Sequence, residues 1–189
     1  FQLQGLLGVD LCGKTAGIEG TGRIGRIAAQ ILKGIGMRVL CSDPQPDAAW
    51  AAQADVEYVP LERLYRESRV ISLHCPLTPA NRHMINRATL AMMQDGVILI
   101  NTGRGPLIHT AALIESIKAH KVGGAALDVY EEEEQYFFED FSNEVIADDM
   151  LARLLGFPNV LVTAHQAFFT REALTAIAET TLGSVAAHA

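Results

Sequence analysis

The chain has 189 residues and a formal net charge of -7, with 49 % hydrophobic and 20 % charged residues, an ordinary composition for one globular domain with its own core. That acidic balance repels nucleic acid and anionic membranes, so small molecules are the expected partners. Three widely spaced cysteines, Cys12, Cys41 and Cys75, make neither a disulfide framework nor a metal site; with no membrane-length apolar run and no targeting pattern, the chain reads as a reduced, cytoplasmic protein.

Short β-rich runs alternate with amphipathic stretches, which predicts an α/β fold: a doubly wound parallel sheet of the Rossmann type. The first strand is expected at 14–19 and runs into Gly20, Gly22 and Gly25. A helix over 23–35 places Ile24, Ile27, Ala28, Ile31 and Leu32 on one face, and Gly34 and Gly36 end it. Strands follow at 37–43, closing on Asp43 and Pro44, at 55–59, and at 69–74, ending at His74, Cys75 and Pro76. The strand at 96–102 leads into Thr102, Gly103 and Arg104, and a helix is expected over 110–120. A strand at 122–129 carries Asp128 at its end, one at 159–164 ends at His165, and a closing helix spans 170–187 with Thr170 as N-cap. The acidic and aromatic stretch 131–147 fits neither period.

Ligands of an open parallel sheet bind beyond the carboxyl ends of its strands, so the polar residues gathered there are the candidate site. The G-x-G-x-x-G of Gly20, Gly22 and Gly25 follows an expected strand, opens an expected helix and precedes Asp43 by 18 residues from its last glycine. That context makes it a dinucleotide fingerprint: glycines for the turn, the phosphate approach and the helix packing, and an acid for the adenosine ribose. A carboxylate at 43 with no arginine after it disfavours the extra phosphate of NADP, so NAD is the expected cofactor. Glu19, just before the first glycine, stands out. By strand alternation it shares a face with Gly17 and Thr15. It is either a tolerated carboxylate, solvated or paired with a nearby base, or a charge close enough to the pyrophosphate to impair binding.

Several stretches together carry a resemblance: "CGKTAG", "GTGRIG", "VISLHCPLTPANRHMIN", "LINTGRGPLI", "LDVYEEE", "FFEDFSNEVI" and "NVLVTAHQAF". On these the chain resembles the D-isomer-specific 2-hydroxyacid dehydrogenase family, closest to its fermentative D-lactate branch. The resemblance implies a two-domain subunit of which residues 1–189 are the dinucleotide-binding domain, with 1–12 leading in, 168–189 as the closing helix and no substrate domain. It further implies NADH-dependent reduction of a 2-oxo acid such as pyruvate, a homodimer, and no activity from this domain alone. Arg104 would hold the substrate carboxylate, His165 would be the acid/base, and Glu133, five residues after Asp128, would be its carboxylate partner. Phe168 would lie beside the substrate. Cofactor contacts would come from Gly20, Gly22, Arg23, Ile24, Gly25, Asp43, Cys75, Pro76, Asn81, Thr102, Gly103 and Asp128. Glu19 stands where the family has an aliphatic residue, and Gly103 where lactate-type members often have serine. The competing readings are an NAD-dependent interaction module of the corepressor kind, and a domain whose cofactor binding Glu19 has impaired.

Overall fold

A computed structural model describes residues 8–133 and 148–188; the "FFEDFSNEVI" stretch lies outside the described residues. Seven strands, β1 (Thr15–Glu19), β2 (Arg38–Ser42), β3 (Glu57–Tyr58), β4 (Val70–Leu73), β5 (Val97–Asn101), β6 (Val122–Leu127) and β7 (Val160–Val162), form one sheet in the order β3-β2-β1-β4-β5-β6-β7. Every pairing is parallel. The chain winds outward from β1 to β3 and then returns to place β4 on the other side of β1. The direction of winding therefore reverses between β1 and β4, which opens a crevice at their carboxyl ends.

Among the described residues seven α-helices accompany the sheet: α1 (Arg23–Gly34), α2 (Ala48–Ala54), α3 (Leu61–Glu67), α4 (Arg87–Met92), α5 (Thr110–Lys118), α6 (Asp149–Leu155) and α7 (Arg171–His188). The reading of period anticipated α1, α5 and α7 but not α2, α3, α4 and α6. Those four have only six or seven residues each, under two turns, which is too short for an apolar stripe to register. Three of them announce themselves through caps instead. Asp47 accepts from Trp50 N–H, Asn86 and Thr89 form a capping box, and Asp148 accepts from Met150 and Leu151 N–H.

Apolar residues on alternate strand positions build a core on each face of the sheet. One face gathers Leu40, Ile71, Leu73 and Leu99 with Leu64, Tyr65 and Leu113 of the helices; the other gathers Ile18, Val39, Cys41 and Val70 with Ala29 and Trp50. Continuous burial along β4 is what a central parallel strand requires.

The packing of α1 differs from the expectation. Gly25 and Ala29 are its buried residues, whereas Ile24, Ile27 and Ile31 face outward with 57–68 % of their surface exposed. The cause is the closeness of the helix to the glycine turn. A Cβ at Gly25 would lie 1.9 Å from the Gly20 carbonyl oxygen, so only small side chains can face inward and the isoleucines are left outside. No residue of α7 is buried. Among the described residues no helix is long and apolar enough to cross a membrane.

Candidate active site

The turn from β1 into α1 is shaped by its neighbours. Gly20 has φ +89°, and a Cβ there would lie 2.5 Å from the Cys75 amide nitrogen, so the end of β1 is pressed against the residue that follows β4. Gly22 meets nothing within 4 Å. It is the N-cap of α1, with no side-chain cap and no acid in the first turn. The first amides of a 12-residue helix are thus open to a ligand that brings negative charge. Arg23 and Ile24 are exposed on that first turn.

Asp43 closes the far side of the turn. Its Oδ2 accepts from Thr21 N–H at 2.7 Å and from Thr21 Oγ1 at 3.0 Å, and its Oδ1 from Gln45 N–H at 2.8 Å. Burial opposes its charge, but these bonds and the nearby Arg26 guanidinium prevail and hold its carboxyl below the usual range. Arg26 is itself committed: Nε donates to the Thr21 carbonyl at 2.9 Å, Nη2 lies 2.9 Å from Asp47 Oδ2, and the guanidinium stacks 4.9 Å over Trp50. Buried Thr21 also bonds the Tyr58 hydroxyl at 2.7 Å. It is a pinning residue that the glycine pattern alone did not reveal.

Glu19 is not solvated, and among the described residues it is paired with no base. It is 7 % exposed, its Oε2 has no hydrogen-bond partner, and strand alternation turns it to the α3 side, where a Cβ on Gly17 would meet Leu64 and Ser68. Burial raises its pKa to about 7; a bond from the Ser42 hydroxyl opposes the rise and the Asp43 charge adds to it.

After β4, buried Cys75 and exposed Pro76 begin a loop that Asn81 closes. Asn81 Nδ2 donates to the Pro76 carbonyl at 2.8 Å, and its Oδ1 accepts from Thr78 N–H at 2.7 Å. After β5, fully buried Asn101 holds the "TGR" turn by accepting from Gly103 N–H at 3.0 Å and donating to the Arg104 carbonyl at 2.9 Å. Thr102 and Arg104 are exposed, and Arg104 Nη1 donates to the Gly103 carbonyl at 2.7 Å. A Cβ at Gly103 would stand 3.4–3.5 Å from its neighbours, in ordinary van der Waals contact.

His165 stands on the loop after β7, with φ +57° following Ala164 at φ +51°. Two successive non-glycine residues in the left-handed region need support from outside the loop. Buried Asp128 gives it. Its Oδ1 accepts from Thr163 Oγ1 at 2.5 Å and Gln166 N–H at 2.8 Å, its Oδ2 accepts from Ala167 N–H at 3.0 Å, and its carbonyl accepts from His165 N–H. Burial works against the Asp128 charge, yet the Thr163, Ala167 and Gln166 donors and the His165 ring keep its carboxyl below the usual range. The Asp128 carboxylate therefore shapes the histidine loop, a task that reading it as a cofactor contact had not included.

His165 Nδ1 lies 3.3 Å from Glu133 Oε1. The other oxygen of Glu133 accepts from Tyr130 N–H at 3.0 Å. The neighbouring acid, Glu131, turns away and pairs with His83. Glu133, His165, Phe168, Phe169, Tyr130 and Leu151 line a cavity of about 430 Å³. Arg104 is not among its lining residues; it stands on the loop after β5, also at the carboxyl edge. Among the described residues no cluster of three or more His, Cys, Asp or Glu is placed to hold a metal.

A parallel sheet whose first strand turns through glycines into an uncapped helix, beside an acid at the end of the second strand, is a dinucleotide-binding domain. Residues 2–167 match the D-isomer specific 2-hydroxyacid dehydrogenase, NAD binding domain. The chain is 55 % identical over 182 residues to the D-lactate dehydrogenase of Escherichia coli (strain K12), which takes in 96 % of this chain and 55 % of that protein. Of solved structures, the pyruvate reductase of Chlamydomonas reinhardtii superposes with a TM-score of 0.93 at 42 % identity, over 100 % of this chain and 57 % of that one. A D-lactate dehydrogenase with NAD+ from Lactobacillus jensenii superposes with a TM-score of 0.87 at 34 % identity, over 96 % and 54 % respectively. The chain belongs to the D-isomer-specific 2-hydroxyacid dehydrogenases as their NAD-binding domain, close to D-lactate dehydrogenase, and its cofactor is NAD. It spans about half the length of the relatives it matches.

Proposed function

We infer that this domain serves a D-lactate dehydrogenase in which NADH reduces a 2-oxo acid such as pyruvate, the substrate domain being supplied by a further part of the subunit. The observation that carries the reading is the pair His165 and Glu133, 3.3 Å apart, beside an apolar cavity at the carboxyl edge of the sheet. Bound NADH supplies the hydride; the other tasks fall to side chains. Glu133 faces Nδ1 and leaves Nε2 of the imidazole to donate a proton to the substrate carbonyl oxygen. Arg104 holds the substrate carboxylate, with the bidentate geometry a guanidinium offers. Phe168 and Phe169 line the cavity with apolar surface beside the histidine.

On this reading the domain alone binds NADH without turnover. The uncovered Ile24, Ile27 and Ile31 of α1, with Ile35 just beyond its end, are the surface through which two subunits pair, since an exposed apolar stripe favours burial. The test is a subunit in which this chain replaces the corresponding part of the E. coli relative. It should oxidise NADH with pyruvate and yield D-lactate, as judged by chiral chromatography. A folded, NADH-binding hybrid that reduces no 2-oxo acid would refute the reading.

A further inference from the structure

Glu131 lies one residue beyond Tyr130 and two before Glu133, and it is only 11 % exposed at its side chain. Its Oε2 accepts from Thr110 N–H at 2.8 Å, at the start of α5, and its Oε1 pairs with His83 Nε2. Burial opposes its charge, but the Thr110 and His83 contacts keep its carboxyl below the usual range. His83 is held in turn. It has φ +54°, its N–H donates to the Pro106 carbonyl at 2.8 Å, and its ring meets the His109 ring edge-on at 4.8 Å. The same turn accommodates the Arg104 loop, because a Cβ at Gly105 would lie 1.8 Å from the Tyr130 carbonyl oxygen. The carboxylate thus ties the turn that bears Glu133 to the loop after β4 and to the start of α5, and the Arg104 loop packs on the same turn at Gly105.

We propose that Glu131, braced by His83 and the Thr110 amide, is the positioning residue that holds the 130–133 turn so that Glu133 faces His165 and the Arg104 loop keeps its place. It touches neither substrate nor cofactor; it acts through Glu133. The argument rests on the dehydrogenase reading for its purpose, but its geometry does not. A turn anchored at only one side would let Glu133 drift from Nδ1, and a displacement of about 1 Å in such a constellation can cost on the order of a hundredfold in rate.

The test follows the His165 ring directly, by nuclear magnetic resonance of the 189-residue chain, in Glu131→Ala, Glu131→Gln, His83→Ala and Glu133→Gln. Glu131→Ala should move the ring resonances away from their parent positions, in the direction of Glu133→Gln. Glu131→Gln, which can still accept from Thr110 and donate to His83, should restore most of the parent behaviour. In the hybrid subunit Glu131→Ala should lower kcat for pyruvate by roughly tenfold to a hundredfold with the affinity for NADH unchanged. A folded Glu131→Ala whose His165 ring resonances and kcat match those of the parent would overturn the proposal and leave Glu131 a stability residue alone. If Glu131→Ala does not fold, His83→Ala answers the same question, since it removes one brace and leaves the Thr110 bond. A parent hybrid inactive on every 2-oxo acid would refute the dehydrogenase reading while the resonance measurement still decided the positioning.

Discussion

Glu19 and Ser42 stand opposite each other across the β1–β2 ladder, and the Ser42 hydroxyl is the one side chain whose hydrogen bond lowers the pKa of the buried carboxyl. Burial outweighs the Ser42 bond, and the Asp43 charge adds to it, so Glu19 titrates at about 7 against 4.5 for its ordinary value. The folded protein therefore keeps a proton that the unfolded chain has already lost, and stability falls as pH rises from about 4.5 towards 7. At about 1.4 kcal/mol per unit the full cost is roughly 3 kcal/mol, reached above neutrality. Urea unfolding of the domain at pH 5 and pH 8 should show this loss in the parent and not in Glu19→Ile. Equal pH slopes in the two proteins would count against the assignment.

The same carboxyl bears on the cofactor. Its charge appears near the end of β1 only as it loses its proton, beside an already ionised Asp43, so NADH affinity in the parent should fall between pH 6 and pH 8. Glu19→Ile should bind NADH more tightly, with the larger gain at pH 8. Because the group is buried, added salt should remove little of that gain, unlike the behaviour of a surface charge. Calorimetric titration at both pH values and two ionic strengths measures each point, and a gain independent of pH would mean that shape rather than charge separates the two side chains.

Gly22 and Gly25 should respond differently to alanine. A Cβ at Gly25 collides with the Gly20 carbonyl, so Gly25→Ala should lower the melting temperature as well as NADH affinity. Gly22 faces open space at φ -66°, which alanine adopts freely. Gly22→Ala should melt like the parent yet bind NADH at least about tenfold more weakly, a loss of about 1.4 kcal/mol, because the added methyl occupies the approach to the helix amides. Parent-like affinity in Gly22→Ala would place the phosphates elsewhere.

Preference for NADH over NADPH should be at least tenfold, about 1.4 kcal/mol. Asp43 opposes a 2′-phosphate, and the one guanidinium shown to act on it, that of Arg26, is bound to Asp47. Asp47→Ala should free Arg26 and narrow the preference, mainly by strengthening NADPH. Calorimetry with both cofactors on both proteins is the check, and equal affinities in the parent would sink the role given to Asp43.

In the hybrid subunit, His165→Ala and Arg104→Ala should each lower kcat/KM for pyruvate by several orders of magnitude and leave NADH affinity nearly unchanged. Glu133→Gln removes the carboxylate that faces the ring and should lower kcat/KM for pyruvate by a smaller factor, with NADH affinity unchanged. An unimpaired His165→Ala enzyme would eliminate the proton-transfer role, and a parent-like kcat/KM in Glu133→Gln would show that the 3.3 Å approach of Glu133 to the ring has no part in it.

The alternation of apolar runs with glycine and acid punctuation was enough to place seven parallel strands, the Gly20 to Gly25 turn and Asp43, because backbone conformation and strand burial depend on local residue type and spacing. Glu133 could be singled out from Glu131 only by resemblance, since four consecutive acids, Glu131 to Glu134, have no local feature that separates them. The tertiary structure distinguishes the first and third of these by what reaches them from afar: His83 and Thr110 come to Glu131, and His165 comes to Glu133. The outward face of α1 was likewise illegible, because helical spacing shows that Ile24, Ile27 and Ile31 share a stripe but not which side the sheet will meet. The close approach of Gly25 to the Gly20 carbonyl decided that. Glu19 followed the same rule. Strand alternation named its face, and only the packing of Tyr65 and α3 against that face made it a buried carboxyl with a pKa near 7, since desolvation depends on every element that covers a group and not on the residues beside it in the chain.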